Sequence, residues 1–243
     1  MTRECKKHGA EEHLDALNSP RVSKRLRPTQ TYEGWVPRMP SDAIVSRISP
    51  STCASTFWED FVRVRRPVIL DGLPSDPKFR AGRWKSLPYL RARAGHTQVR
   101  VERRKTVSNR FGQFDCNSLD RMALGDLISH IEGSGELLYL TTQELEFDAM
   151  NRPKILTEPI ASLQDDFALR PAIMGHLIPM SVNLWLGNSV GSSSGLHHDY
   201  HDNLYVLLNG RKHFKLFPPS CAPFMYTLGR VALVHPNGRV CYE

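Results

Sequence analysis

Residues 195–210 read GLHHDYHDNLYVLLNG. The first eight positions carry three histidines and two aspartates, and an apolar run follows that ends on Asn209-Gly210. Asn-Gly between two apolar runs predicts a two-residue hairpin turn, because both positions tolerate the positive φ such turns require. With that loop, Leu208 faces Arg211, Leu207 faces Lys212, Tyr205 faces Phe214 and Asn203 faces Leu216. Side chains alternate along a strand, so Asn203, Tyr205, Leu207, Lys212 and Phe214 share one face. An unbulged first strand adds His197 and Asp199 to it, leaves His198 on the opposite face and puts His201 at the rim. His213 faces away from Lys212.

An imidazole and a carboxylate two residues apart on a strand stand roughly 7 Å apart and point the same way, so they can hold one cation together. Completed by a second histidine, such a pair forms the facial triad of non-haem iron(II) oxygenases, which leaves positions open for a cosubstrate and O2. Lys212 on the same face needs an anionic partner, since an ammonium turned into a barrel is unfavourable without one. A small dicarboxylate that chelates the metal with its other end meets both requirements. Ser194 and Tyr139 are the candidate hydroxyl donors.

Working outward, the chain of 243 residues is 40% hydrophobic, enough for one good core. Its formal net charge of +7 favours acidic partners, whether nucleic acid, acidic protein or an anionic small molecule. No nucleic-acid-binding motif accompanies that charge, so chromatin remains an unsupported partner. The five cysteines are scattered and form no C-x-x-C pair, which speaks against a disulfide framework and for a reducing compartment, cytoplasmic or nuclear. The first residues lack an apolar signal core, and no stretch approaches the ~18 apolar residues of a membrane span. Residues 1–33 are polar and read as a disordered basic tail, with RVSKRLRP at 21–28 of nuclear-import type. The folded domain is expected over 34–243.

Within it, SPSTCASTFWEDFVRV (49–64) predicts a helix capped by Ser49 with Pro50 at its first position, and Phe57, Phe61 and Val64 on one stripe. RRPVILDGLP reads as a strand, SLPYLRARAG as a short helix stopped by Gly95, and TQVRVERR as a strand. DRMALGDLISHIEG predicts a helix with Leu124, Leu127, Ile128 and Ile131 inward, weakened by Gly125 and followed by Gly133. ELLYL (136–140) and MSVNLWLGN (180–188) read as strands. Trp58, Trp84 and Phe57 are expected in the core, with Trp185 and Phe214 packing. Helices crowd the first half and strands the second, an α+β class with a mainly β core.

GLHHDYHDNLYVLLNGRKHFKLFPPS, together with RRPVILDGL, LLYLTTQEL and VNLWLGN, resembles the metal-binding core of the Jumonji-C, or cupin-like, 2-oxoglutarate- and iron(II)-dependent oxygenases, over roughly residues 35–243. The resemblance implies a double-stranded β-helix with N-terminal helices packed on it. It implies His197 and Asp199 as iron(II) ligands, Lys212 as the partner of the distal carboxylate of 2-oxoglutarate, and Tyr139, Ser194 and Asn203 around that cosubstrate. It implies O2-dependent hydroxylation or N-demethylation of a protein side chain, with hydroxylation the closer analogy.

The family pattern also calls for a second histidine on a later strand. The one histidine after the hairpin is His235, in ALVHPNGRV, where Pro236-Asn237-Gly238 predicts a turn. The sequence therefore reads as cut short before the closing strands, and a catalytically inactive binding module stands as the alternative function. A metal cupin of another class is disfavoured, because the position seven before Gly210, where that class carries a glutamate ligand, is Asn203.

Overall fold

A computed structural model describes residues 34–38, 44–104, 119–133, 135–188, 191, 193–197, 199, 201–225, 230–234 and 240–242. The expected tail at 1–33, His198 and His235 lie outside the described residues.

The architecture is a mixed α+β core built on an antiparallel sheet with helices from the N-terminal half against one face, the arrangement of a jelly-roll core with packed helices. Strands β3 (Gln98–Arg104), β4 (Leu119–Ala123), β5 (Leu137–Leu140) and β6 (Leu186–Gly187) form one sheet in the order β4-β3-β5-β6, all pairs antiparallel. A separate parallel pair joins β1 (Ser46–Ile48) to β2 (Val68–Leu70), and β7 (Val231–Val234) pairs with β8 (Val240–Tyr242).

Alternation along the strands sorts the two faces. Val99 and Val101 of β3 and Leu138 and Leu140 of β5 point into the core with α2 (Leu87–Ala94) and α3 (Leu124–Gly133). From those helices come Leu90, Ala94, Leu124, Leu127 and Ile128, all essentially inaccessible to solvent. Each of these leucines and the isoleucine contributes about 2 kcal/mol by leaving water, and the Ala94 methyl less than half of that. The residues between them, Arg100 and Glu102 on β3 and Tyr139 on β5, occupy the other face.

Helix α2 follows its sequence signals. The Ser86 hydroxyl accepts the Tyr89 N–H at 3.3 Å, a proline stands in the first turn, and Gly95 follows the last residue. Helix α3 begins at Leu124, because Leu119–Ala123 pairs as β4 instead of joining the helix. Gly125, a weakness by propensity, is explained by packing: its N–H donates to the Gly95 carbonyl at 2.9 Å, and a Cβ there would lie 3.1 Å from that oxygen. Trp84 is buried as expected, its indole N–H donating to buried Asp166 at 3.0 Å. The Tyr89 hydroxyl also donates to Asp166, at 2.8 Å.

The first helix departs from the expectation. Ser49 does not cap it: the Ser49 carbonyl and hydroxyl accept bonds from Thr52 and Ser51 in a local turn, and α1 (Ala54–Phe57) starts only after Cys53. It passes at once into a π-helical turn at Trp58–Val62. The wider turn breaks the 3.6-residue stripe. Phe61 alone is buried, while Trp58 is 42% exposed, Val64 is exposed and Phe57 half-buried.

The second half also differs. Of residues 180–188 only Leu186–Gly187 joins a ladder, and residues 203–217 form none among the described residues. Among the described residues, strands therefore do not crowd the second half. Tyr205, Leu207, Phe214 and Leu216 are all exposed, Leu216 by 63%. An isolated hairpin is marginal in water, and no described strand flanks residues 203–217 to support one. One consequence of the facing pattern is nevertheless seen, since the Tyr205 and Phe214 rings meet edge to face at 5.0 Å.

Candidate metal centre

The loop that leads into Asn203 is organised by backbone contacts around His197. Gly195 has φ +76, a conformation glycine adopts freely, and its carbonyl lies 3.1 Å from His197 Nδ1. A proton on Nδ1 donated to that carbonyl leaves Nε2 with its lone pair free, the usual arrangement of a metal-binding imidazole. His197 Nε2 stands 3.7 Å from Asp199 Oδ1. The other carboxylate oxygen, Oδ2, accepts a 2.6 Å hydrogen bond from the Asn203 amide.

Two ligands at about 2.1 Å from one metal, at right angles, stand about 3 Å apart. The observed 3.7 Å needs only a small side-chain adjustment to reach that value. The donor set also suits a divalent cation, with one neutral imidazole nitrogen and one carboxylate oxygen facing it. Both side chains are about half exposed, so neither has been desolvated before the cation arrives. The pair therefore fits two positions of an iron(II) site. Among the described residues no third histidine, cysteine, aspartate or glutamate joins them.

The other predicted residues divide into two groups. Asn203 is brought onto Asp199, where its amide orients the carboxylate. Tyr139 is brought close to Tyr205: its phenol is pushed well above its ordinary range, chiefly by burial, with the Tyr205 hydroxyl and the Glu102 carboxylate adding to the effect. Its ring lies tight on Gly187, where a Cβ would come within 2.9 Å of Tyr139 Cδ2. Tyr205 in turn stacks on Trp185 at 6.3 Å, so Trp185 and Phe214 are part of an exposed aromatic row and not of the core. Lys212 is exposed, with its ammonium 5.7 Å from the Phe214 ring centroid. It is thus not turned into a closed barrel interior as the strand alternation predicted, because no ladder holds that face inward. Ser194 is exposed, next to Gly195.

Sequence reasoning did not single out two neighbours of this site. Glu102, only 4% exposed, faces Tyr139 in the β3–β5 register and accepts the Thr141 hydroxyl at 2.7 Å. Its position in the alternating TQVRVERR run was the available signal. Arg65 reaches Asp202 at 3.2 Å across 137 residues, and nothing local in the sequence announces that contact.

Residues 54–240 match the family model of the cupin-like domain, a span that contains every candidate site residue. The chain is 33% identical to JmjC domain-containing protein 4 of Schizosaccharomyces pombe, over 88% of this chain and 46% of that protein. It is 31% identical to the human bifunctional peptidase and (3S)-lysyl hydroxylase JMJD7, over 70% of this chain and 52% of that one. A shorter similarity, 42% over 48 residues, links it to the lysine-specific demethylase JMJ32 of Arabidopsis thaliana, covering 20% of this chain and 14% of that protein. The chain spans about half the length of the first two of these relatives.

Proposed function

This chain belongs to the cupin-like, JmjC-containing domain family, and from that premise we propose that it serves as a 2-oxoglutarate- and iron(II)-dependent oxygenase acting on a protein side chain, with hydroxylation preferred over N-demethylation. The observation that carries the reading is the His197–Asp199 pair, with Nε2 freed by the Gly195 carbonyl and the carboxylate steadied by Asn203. The relatives support the substrate class, one being named a lysyl hydroxylase and another a lysine-specific demethylase. The chain's scattered cysteines and basic cluster suit a cytoplasmic or nuclear setting.

When bound, iron(II) with 2-oxoglutarate and O2 would supply the oxidising power that places a hydroxyl group on the substrate. The protein's own part is positional. His197 offers Nε2, and Asp199 offers a negative charge that offsets the cation. Asn203 keeps that carboxylate from turning away. Lys212 would carry the positive charge for the distal carboxylate of the cosubstrate, and Tyr139, whose phenol burial keeps protonated in the neutral range, would donate a hydroxyl hydrogen bond. Ser194 would add a second hydroxyl.

The test is succinate formation by the full chain supplied with Fe(II), 2-oxoglutarate and O2, followed by mass spectrometry of protein hydrolysates for hydroxylated side chains. Succinate that disappears in Asp199→Ala is the expected result. No succinate from the unmodified chain overturns the reading and leaves a binding module in its place.

A further inference from the structure

We propose that Arg65 is a positioning residue for the metal centre, tethering the loop that carries Asp199 and Asn203 to the end of the helical turn at Trp58–Val62. The inference rests on the metal reading of His197 and Asp199 given above.

The first observation is a backbone one. Arg65 has φ +59, and with Asn151 it is one of two non-glycine residues in the left-handed region among the described residues. It stands just past a helix end: its N–H donates to the Val62 carbonyl at 3.1 Å, and the next N–H, of Arg66, donates to the Phe61 carbonyl at 2.8 Å. That closing position is usually glycine. Asparagine tolerates it, but an arginine there is disfavoured relative to glycine. A residue kept in an unfavourable conformation calls for a reason in its side chain.

The second observation supplies that reason. Arg65 Nη1 donates to Asp202 Oδ1 at 3.2 Å, joining parts of the chain 137 residues apart. Asp202 adjoins Asn203, whose amide holds Asp199 at 2.6 Å. A line of contacts therefore runs from Arg65 through Asp202 and Asn203 to the candidate ligand Asp199. Contacts such as His197 to Gly195 and Gly195 to Ser193 span only two residues; they shape the loop but do not place it. The Arg65–Asp202 pair reaches across the chain at Asp202, as the Tyr205–Trp185 stack does two residues past Asn203. The ion pair is solvent-exposed and adds little to global stability, so its effect is felt in the position of Asp199.

Glycine at this position separates positioning from support, because it relieves the backbone and removes the tether together. The experiment titrates the full chain with Co(II), reading the visible absorption of the bound ion, and records thermal unfolding alongside. Arg65→Gly is expected to unfold at the same or a higher temperature than the unmodified protein and to bind Co(II) about tenfold more weakly. The exchange of charges, Arg65→Asp with Asp202→Arg, is expected to recover part of that affinity. Unchanged Co(II) affinity in Arg65→Gly overturns the tether and leaves the metal pair standing. A lowered unfolding temperature in that variant also overturns it, since arginine would then act as structural support. Co(II) binding absent from the unmodified chain, or indifferent to Asp199→Ala, overturns the metal reading and the tether with it.

Discussion

At His197 one backbone contact decides which ring nitrogen is available. With a proton on Nδ1, the ring donates to the Gly195 carbonyl, and Nε2 is left facing Asp199. The carboxylate is held from its far side by Asn203. Replacing Asp199 by asparagine keeps the size and an oxygen able to accept from Asn203, yet removes the charge. Calorimetric titration with Fe(II) under anaerobic conditions is expected to show at least a hundredfold loss of affinity, with unfolding temperature nearly unchanged. Asn203→Ala, which removes only the orienting bond, is expected to cost about tenfold. A different residue-scale device is seen at Cys53. Its thiol is exposed and its pKa is lowered to about 7, chiefly by the Ser55 hydroxyl and then by that of Thr56. Alkylation of Cys53 by iodoacetamide should rise through a midpoint near that pH, and Ser55→Ala should move the midpoint upward. An unmoved midpoint would mean that the hydroxyl does not stabilise the thiolate.

Among the elements, α3 shows how tertiary context reverses a local preference. Alanine is normally better than glycine inside a helix. At Gly125 it would press its Cβ to 3.1 Å from the Gly95 oxygen and disturb the bond between the two helices. Gly125→Ala is therefore expected to destabilise by about 1 kcal/mol, measured as a lowered midpoint in urea, where propensity alone predicts a gain. Leu127→Ala, inside the same helix, is expected to cost about 2–5 kcal/mol because it opens a cavity between α3 and the sheet. The elements that were legible beforehand, α2, β3, β5 and the second part of α3, share one property. Each carries its whole signal, a cap, an alternation or an apolar stripe, within a short window. The first helix did not, because the turn at Ser49 and the π-turn at Trp58 compete with a regular helix at small energetic differences that no window records. The segment at 203–216 had a strong local hairpin signal and still formed no ladder, since a strand's stability comes from partners outside its own sequence.

For the whole molecule, the two faces of the sheet divide the work. One buries the leucines and valines against α2 and α3, and the other carries Glu102 and Tyr139 toward Tyr205 of the aromatic row. Burying Tyr139 has a pH consequence. Its phenol titrates higher in the folded chain than in the unfolded one. Below about pH 10 both forms are neutral and stability is unaffected. Above that, the unfolded phenol loses its proton while the folded one keeps it, so stability falls as pH rises. Urea midpoints measured from pH 9 to 11 should decline, and Tyr139→Phe should flatten part of the decline. Tyr205, raised more modestly by its own burial, contributes in the same direction.

The residues of the proposed site were present in the sequence by itself. His197, Asp199, Asn203 and Lys212 occur at spacings that suit a metal and a dicarboxylate, and the periodic segments around them define an α+β chain with a β core. Side-chain identity and local period are properties of neighbouring residues, so they can be read without a fold. Only the tertiary structure decided that Asn203 serves Asp199, that Lys212 lies over an exposed ring, that Glu102 is buried beside Tyr139, and that Arg65 holds Asp202 from 137 residues away. Such contacts depend on the path of the chain between the partners, and that path is settled by burial and ladder pairing across the whole domain.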